Sequence, residues 1–353
     1  MKNKKIIKTS LIVLIIILAL ILCFNVVVYA AYVLAATDVS YTKSDGTTVS
    51  VKEALDELHN IQRPLAKAVS VGDYVAYDAG THSYTSSTGT GSSHGNGCES
   101  QTFTSSSSLK WKVLGWDEET GGVMLISEAP IDTFYMGSAI GYLYAEQELN
   151  EICKIYGYGT GANTSKKFNY VTGDIVVGTT VGTITGSGAR SINVDDVNKI
   201  CGVTPPTELY SDNYGKAYKK SIYYPTTSQS TGKSTSATSR IDVYTYYSYT
   251  GSNYLTSTTE VYKMLFRNTS NSSNITYWLA SRCEESYDSC SNFDMRFVYS
   301  GAMDGCCILR YDVGGGYYEC TSVGYGVRPI VYLKSNIQTS GKNTSGAWNI
   351  IDK

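Results

Sequence analysis

Histidine is scarce in this chain, which has three among 353 residues. His59 lies in a stretch with helical periodicity, and His82 and His94 lie in a loop rich in Ser, Thr and Gly. The commonest general base of enzymes is therefore missing from the segments that we expect to form the folded core. This scarcity argues against an enzyme.

Motifs for phosphate, metal and nucleophile chemistry are also missing. The sequence contains no P-loop and no calcium-type Asp/Asn loop. GSSHG at 91–95 fits G-x-S-x-G, but no strand precedes it and no helix follows it, so an activated serine elbow cannot form there. The C-terminal cysteines lack CxxC spacing and a neighbouring histidine, which is not the usual pattern of a zinc site. We expect no catalytic residue, no metal and no cofactor.

Positive charge is concentrated at the N-terminus. The formal net charge is −2, and without Lys2, Lys4, Lys5 and Lys8 the remainder carries about −6. A groove that binds phosphates needs the opposite sign. Nucleic acid is therefore not expected as a partner.

A long apolar run follows these lysines, from Leu11 to Phe24 and on through NVVVYAAYVLAA. A basic start and a long apolar run are typical of a signal peptide or a membrane anchor. Small residues at Ala30 and Ala35 suit cleavage, and the run is also long enough to cross a bilayer uncut. We therefore interpret residues 1–36 as a signal or transmembrane helix, and expect the rest at the cell surface, anchored or secreted.

Residues 37–66 are predicted to form a short stalk. Ser50 and Glu53 form a capping box, and the helix they begin should end before Pro64. Its apolar face consists of Val51, Leu55 and Leu58. The pattern is too short to indicate a coiled coil, and a helix packed on its own domain remains the alternative.

The globular region is predicted over residues 67–335, with residues 336–353 as a C-terminal tail. An edge-type strand at Val69–Gly80 is followed by a low-complexity, solvated loop at Thr81–Ser108. Leu109–Trp116 and Val123–Ser127 then form a hairpin around a turn with Asp117 at its start.

Two amphipathic helices follow this hairpin. The first buries one face and has Gly157 as its C-terminal stop; the second begins at a capping Asn193. The buried faces are Leu149, Ile152, Cys153 and Tyr156 in the first helix, and Val194, Val197, Ile200 and Cys201 in the second. Cys153 and Cys201 form either a disulfide or two buried thiols.

The stretch from Pro205 to about Glu260 is rich in Tyr, Ser and Thr and has little helical periodicity. We interpret it as surface loops over a few strands, with contact to a glycan or polymer as the alternative.

Tyr, Ser, Asp, Gly and Cys dominate the segment Ser286–Tyr325, between YWLASR at 277–282 and GVRPIVYL at 326–333. Antibody contact loops have a similar composition, because tyrosine provides large, stiff contact area and small polar residues provide adaptable hydrogen bonds. The five cysteines near it, at 283, 290, 306, 307 and 320, are either loop-bracing disulfides or incidental to a changing surface. The segment is predicted to be a binding surface.

Period-two alternation divides the strand NFDMRFVYSG into two faces. Phe293, Met295 and Phe297 should anchor it, and Asp294, Arg296 and Val298 should face outward. Trp278, Phe293 and Val327 are expected in the core, with Arg328 and Pro329 closing the segment. The predicted ligand contacts are Tyr287, Asp288, Asp294, Tyr299, Asp304, Arg310, Tyr311, Asp312, Tyr317, Tyr318 and Tyr325.

The series VGDYVAYDAG, WKVLGWDEETGGVMLISEAPI, ARSINVDDVNKICGV, YWLASR and GVRPIVYLKS resembles a family of exported Gram-positive bacterial proteins. That family has an α+β domain similar to the C-type lectin and formylglycine-generating-enzyme fold. The match covers residues 69–335. The chain also resembles the target proteins of diversity-generating retroelements, in which a reverse transcriptase rewrites such a segment at adenines. The resemblance implies a variable region at 284–325.

Codon chemistry agrees with that resemblance. Changing the first two adenines of an asparagine codon never produces Lys, Gln or Trp, and residues 286–325 contain none of the three. Met295, Met303 and Glu319 must come from other codons. A Tyr- and Gly-rich β-structure without diversification is the alternative.

The expected function is surface-displayed ligand binding, with a protein, a glycan or a phage component as ligand. A non-diversified, pilus-like or stalk-tip adhesin is one alternative. A formylglycine-generating-type oxidase or another protein-modifying enzyme is the other, although Cys283, Cys290, Cys306 and Cys307 do not match that enzyme's paired-cysteine motif.

Overall fold

The computed structural model describes residues 40–42, 46–51, 54, 63–86, 100–172, 180–202, 219–223, 240–245, 249–250, 259–267, 275–286, 290–299, 301–312, 316–319 and 323–352. The predicted leader lies outside these residues. In the part of the chain that is described, no helix combines the length and the apolar character needed to cross a bilayer. The chain divides into two compact units, residues 1–63 and 64–353.

The described part of the first unit is mainly an antiparallel pair of short strands, β1 (Ser40–Thr42) and β2 (Thr48–Ser50). The hydroxyl groups of Thr42 and Thr48 share a hydrogen bond of 3.2 Å across this pair. The helix predicted to follow Ser50 lies outside the described residues, apart from Val51 and Ala54. A two-residue strand, β3 (Arg63–Pro64), stands at the boundary of the units.

The second unit is a sheet-rich α+β fold. Its described helices are α1 (Leu65–Ala68), α2 (Ser138–Lys154), α3 (Val194–Ile200) and α4 (Glu260–Phe266). Its described strands are β4 (Tyr74–Val75), β5 (Ser83–Thr85), β6 (Thr102–Thr104), β7 (Trp111–Trp116), β8 (Val123–Ser127), β9 (Thr133–Met136), β10 (Phe168–Thr172), β11 (Thr180–Ile184), β12 (Ala189–Ser191), β13 (Lys219–Tyr223), β14 (Arg240–Thr245), β15 (Tyr249–Thr250), β16 (Tyr277–Ser286), β17 (Cys290–Tyr299), β18 (Ala302–Asp312), β19 (Gly316–Glu319), β20 (Val323–Gly326), β21 (Pro329–Tyr332) and β22 (Gln338–Thr339).

A five-stranded sheet has the order β12-β21-β8-β7-β4. The predicted hairpin is confirmed as β7 and β8, which pair antiparallel. Asp117 begins its turn and accepts a hydrogen bond of 2.7 Å from the Thr120 hydroxyl, and Gly121 adopts a φ of 72°, which glycine tolerates best. The predicted edge strand is β4, at the end of this sheet.

The loop predicted at Thr81–Ser108 contains structure. Strands β5 and β6 pair antiparallel within it, and Phe103 is buried against Phe134 with ring centroids 6.0 Å apart. The low-complexity pattern concealed this anchor because its neighbours Thr102 and Thr104 are exposed threonines. The prediction of a wholly solvated loop was therefore wrong at this hairpin.

The buried face predicted for helix α2 is confirmed, since Leu149, Ile152 and Cys153 are all buried. The predicted stop at Gly157 is wrong, because the helix ends at Lys154. Glycine is needed at 157 for a different reason: a Cβ there would lie 2.1 Å from the Ser187 Oγ. Gly157 therefore allows the chain after α2 to pack closely against residues 187–189, at the start of β12.

Helix α3 begins as predicted. The Asn193 side chain accepts a hydrogen bond from the Asp196 amide, and the Asp196 carboxylate accepts one from the Asn193 amide. Cys201 after this helix and Cys153 of α2 are both free, buried thiols, so they form no disulfide. Burial raises the pKa of the Cys201 thiol to about 12.

A larger sheet of nine described strands contains the predicted variable segment. Its main order is β13-β14-β16-β17-β18-β15; β19 pairs with β18, and β20 pairs with both β16 and β9. β16, β17 and β18 are long antiparallel strands of 10, 10 and 11 residues. The β14–β16 and β16–β20 pairs are parallel. The few strands expected between Pro205 and Glu260 are β13, β14 and β15.

Hydrophobic clusters cover both faces of this sheet near the start of β16. One cluster packs Trp278, Met295 and Phe297 with helix α2. The other packs Leu279, Val298 and Met303 with helix α4. The strands here form a buried layer, which is why both side-chain rows are apolar or internally bonded.

The segment at 336–352 lies against the same unit. Ile337 and Trp348 are buried in the cluster that contains α2. The Ala76 amide donates to the Trp348 carbonyl at 2.8 Å, and the Trp348 amide donates to the Tyr74 carbonyl at 2.8 Å. These bonds cover the free edge of β4.

Candidate ligand-binding corner

The predicted contact residues fall into three groups. Tyr287 and Asp288 lie outside the described residues. The backbone alone is described for Arg310, Tyr311 and Asp312 of β18 and for Tyr317 and Tyr318 of β19. Side chains are described for Asp294, Tyr299, Asp304 and Tyr325.

Strand register places the second group in adjacent rows. Arg310 of β18 pairs with Tyr318 of β19 on one side and with Asn292 of β17 on the other. The next row is Ser291, Tyr311 and Tyr317. Four of the predicted residues are therefore neighbours in the sheet, although they are up to eight positions apart in sequence.

Asp294 is not on an outward face. It is 2% exposed, and its neighbours Arg296 and Val298 on the same row are also buried. The predicted division of β17 into an anchored row and an outward row is therefore wrong over these residues. At Val298 the physical reason is the second hydrophobic cluster, which contains this side chain. A buried carboxylate depends on internal partners, so this position is not available to a ligand.

Tyr299, Asp304 and Tyr325 are brought together at the turn between β17 and β18. We call this site the aromatic corner and define it as Phe297, Tyr299, Asp304, Cys306 and Tyr325. Phe297 pairs with Asp304, and Tyr299 pairs with Ala302. Since alternate residues share a face, Tyr299 and Asp304 are diagonal neighbours on that face, with their Cα atoms about 7–8 Å apart.

Ring contacts connect the corner to the core. Tyr325 stacks on Phe297 with centroids 4.6 Å apart and planes 6° apart, and it meets Trp278 edge-on at 4.7 Å. Phe297 also contacts Tyr299 at 5.8 Å. Exposure rises along this series, from 0% at Trp278 and 6% at Phe297 to 51% at Tyr299. The exposed ring thus stands on a packed aromatic base.

The base itself is held by a polar anchor. The Trp278 indole Nε1 donates to the Phe134 carbonyl of β9 at 2.8 Å. Phe134 pairs with Tyr325 across β9 and β20. The anchor therefore ties three separate strands together directly beneath the corner.

Two ionisable groups of the corner, the Tyr325 phenol and the Cys306 thiol, have raised pKa values. Burial raises the pKa of Tyr325 to about 12, assisted by its hydrogen bond with the Cys306 thiol and by the nearby Asp304 carboxylate. Burial, together with the negative charges of Asp294 and Asp304, raises the pKa of Cys306 to about 12. Both groups are neutral at pH 7, so Cys306 is a hydrogen-bonding partner and not an activated nucleophile.

Asp304 carries the negative charge of the corner and is partly exposed. Its Oδ1 accepts a hydrogen bond of 2.9 Å from the Gly305 amide, which fixes the carboxylate relative to the strand. A neutral aromatic platform beside an oriented carboxylate suits a ligand with a positive charge and a flat or apolar body.

Two buried arginines hold the strands behind the corner. Arg282 Nε donates to the Tyr142 carbonyl at 2.7 Å, and its Nη1 lies 3.4 Å from the Glu146 carboxylate. Arg328 Nη2 donates to the Ser127 carbonyl at 2.9 Å, and its guanidinium lies 5.0 Å from the ring centroid of Tyr277. Arg328 was predicted to close the segment, but its burial and its bond to the Ser127 carbonyl were not predicted. The available signal was its position inside an apolar run.

A polar cavity of about 290 Å³ lies elsewhere in the unit, beside helix α2. Lys166 on its lining bonds the Asp117 carboxylate at 2.8 Å. Arg190 donates from both terminal nitrogens to Asp196 at 2.7 Å and so joins β12 to α3. Because carboxylates already bind both cations, these charges serve the fold.

No candidate metal centre was found in the part of the chain that the structure describes, where no three His, Cys, Asp or Glu side chains form a suitable group. The GSSHG motif at 91–95 lies outside the described residues.

Comparisons with known proteins identified no similar protein. A scan against protein-family models, a search of curated proteins and a search of solved structures each found no match.

Proposed function

We propose that this protein is an exported binding protein with a C-type-lectin-like domain, which displays a replaceable contact surface at the cell surface. The aromatic corner is the part of that surface whose side chains are described. Its ligand is a protein, a glycan or a phage component, and recognition is noncovalent.

One observation supports the proposal most strongly. Within two residues of one strand face, exposure changes from 6% at Phe297 to 51% at Tyr299. A large aromatic side chain that is half exposed and rests on a rigid base is the arrangement that binding surfaces use for their central contacts. The buried layer behind it secures the fold, so that the exposed positions are free to change.

Two libraries in the full-length chain test this division of labour. One randomises Tyr299 and Asp304, and the other randomises Met295 and Val298, which are buried. We expect most members of the first library to resist proteolysis like the parent, and different baits to enrich different members. We expect most members of the second to be degraded. Equal intolerance in the two libraries, or a folded first library without bait-specific clones, contradicts the proposal.

Diversification is tested at the level of DNA. We expect a near-copy of the DNA that encodes residues 286–325, differing from it only at adenines and lying near a reverse transcriptase gene. Differences scattered over all four bases would instead favour an adhesin with a fixed surface.

A further inference from the structure

The chemistry of the aromatic corner indicates a class of ligand, and this inference rests on the proposed function. Residues 286–325 contain four Asp and one Glu, against two Arg and no Lys. One of the four aspartates, Asp294, and one of the two arginines, Arg296, are buried, which leaves an excess of acidic residues in the rest of the segment. A surface with this charge attracts cations and repels anions over several ångströms.

The groups at the corner sharpen that preference. Tyr325 and Cys306 are neutral at pH 7, and the described groups that shift their pKa values include no cation. Asp304 lies on the same face of the strand pair as Tyr299 and Cys306. One of its oxygens is engaged by the Gly305 amide, and the carboxylate is oriented by that bond.

The spacing of the two exposed groups suits a guanidinium. Tyr299 and Asp304 are diagonal neighbours on one strand face, with their Cα atoms about 7–8 Å apart. A guanidinium stacked about 3.5–4 Å above a phenol ring can place an N–H edge about 2.8 Å from a carboxylate oxygen on its far side. A planar cation can contact the ring through its face and the carboxylate through its edge, whereas a lysine ammonium has no flat face for the ring.

We propose that the aromatic corner binds an arginine side chain of a basic protein partner. The Tyr299 ring takes the face of the guanidinium, and the Asp304 carboxylate accepts hydrogen bonds from its edge. A protein is favoured over a glycan because a neutral sugar leaves the oriented carboxylate without a charged partner.

Titration calorimetry with the full-length protein and three short peptides tests the inference. The peptides have the form Gly-Ser-Gly-X-Gly-Ser-Gly, where X is arginine, its uncharged isostere citrulline, or lysine. We expect the citrulline peptide to bind about tenfold more weakly than the arginine peptide, and the lysine peptide to fall between them.

Variants assign the effect to the two side chains. Asp304→Asn preserves shape and should weaken the arginine peptide about tenfold while leaving the citrulline peptide unchanged. Tyr299→Leu should weaken it about threefold to fivefold. Matched controls are Tyr158→Leu, whose ring is 40% exposed outside the corner, and Glu119→Gln, an exposed carboxylate elsewhere. Neither control should change the affinity.

Three results would overturn the inference. They are equal affinity for arginine and citrulline, insensitivity to Asp304→Asn, and tetramethylammonium binding at the same site as tightly as arginine. If these occur while the corner library still yields bait-specific clones, the arginine preference is wrong and the proposed function stands. If the library yields none either, both are wrong.

Discussion

Two parts of one strand pair differ sharply in this protein. At the base of β17 and β18, Met295 and Phe297 pack in the cluster that contains α2, and Val298 packs in the cluster that contains α4. At the turn, Tyr299 and Asp304 emerge from that cover. The pairing continues without interruption from the base to the turn. The contrast teaches that one strand pair can both secure the fold and present an exposed surface. The change takes only two residues, from Phe297, which is 6% exposed, to Tyr299, which is 51% exposed.

The sharpest test of the base is Trp278→Ala. Removal of a fully buried indole beneath the corner should lower the free energy of unfolding by about 3–5 kcal/mol. Urea unfolding of the full-length chain measures it. Trp278→Phe is the control, since it keeps a ring and loses the bond to the Phe134 carbonyl, and should cost less than half as much. A loss below about 1 kcal/mol for Trp278→Ala would place the indole outside the core.

A smaller loss is expected for Gly157→Ala, in the framework far from the turn. The new Cβ would meet the Ser187 Oγ at 2.1 Å and the Ala189 amide nitrogen at 2.4 Å. Such overpacking should cost about 1–3 kcal/mol in urea unfolding. At Gly115 the nearest atom to an added Cβ is the flexible Met124 Cε at 3.6 Å, so Gly115→Ala is the matched control. Similar losses for the two variants would argue against the close approach at 157.

Acid should weaken the framework through Asp117. Burial acts to raise its pKa, but hydrogen bonds from Lys166 and Thr120 outweigh burial and hold it below the ordinary value of 3.8. Its contribution is therefore complete above that ordinary value and is lost as pH falls through the lower, folded value. Compared with Asp117→Asn, the wild type should be more stable at pH 7 by about 1 kcal/mol, and the difference should shrink below pH ~4. A difference that is constant from pH 7 to pH 2.5 would contradict this.

The smallest effect on stability is expected at the corner itself. Tyr299→Ala should change the free energy of unfolding by no more than about 0.5–1 kcal/mol, because the ring is half exposed and contacts Phe297 alone among the described aromatic rings. Tyr277→Ala is the comparison. It also removes a tyrosine ring, but that ring is fully buried and its hydroxyl donates to the Leu265 carbonyl at 2.9 Å. A loss for Tyr299→Ala as large as that for Tyr277→Ala would erase the distinction between base and corner.

Local features were predictable from the sequence. The β7–β8 hairpin, the buried face of α2 and the Asn193 cap follow from periodicity, turn residues and capping chemistry, which act over a few residues. Tyr299, Asp304 and Tyr325 were also predicted as contacts by composition. Their proximity was not predictable, because Tyr325 reaches the corner through β20, which pairs with β9 and β16 far away in sequence.

Burial was the property that local pattern misjudged. Asp294, Arg296 and Val298 alternate with Phe293, Met295 and Phe297 and were therefore predicted to face outward. All three are interior. A period of two indicates which residues share a face, but it does not indicate whether a distant helix covers that face.

The sequence by itself determined the β7–β8 hairpin, the buried face of α2, the Asn193 cap and the Tyr- and Asp-rich composition of the contact segment, because these depend on neighbouring residues. The tertiary structure alone decided which of those residues reach solvent. Helices α2 and α4 come from residues 138–154 and 260–266, outside the segment, and pack in the two clusters that bury Met295, Phe297 and Val298. Burial at Val298, which alternation assigned to solvent, follows from that long-range packing.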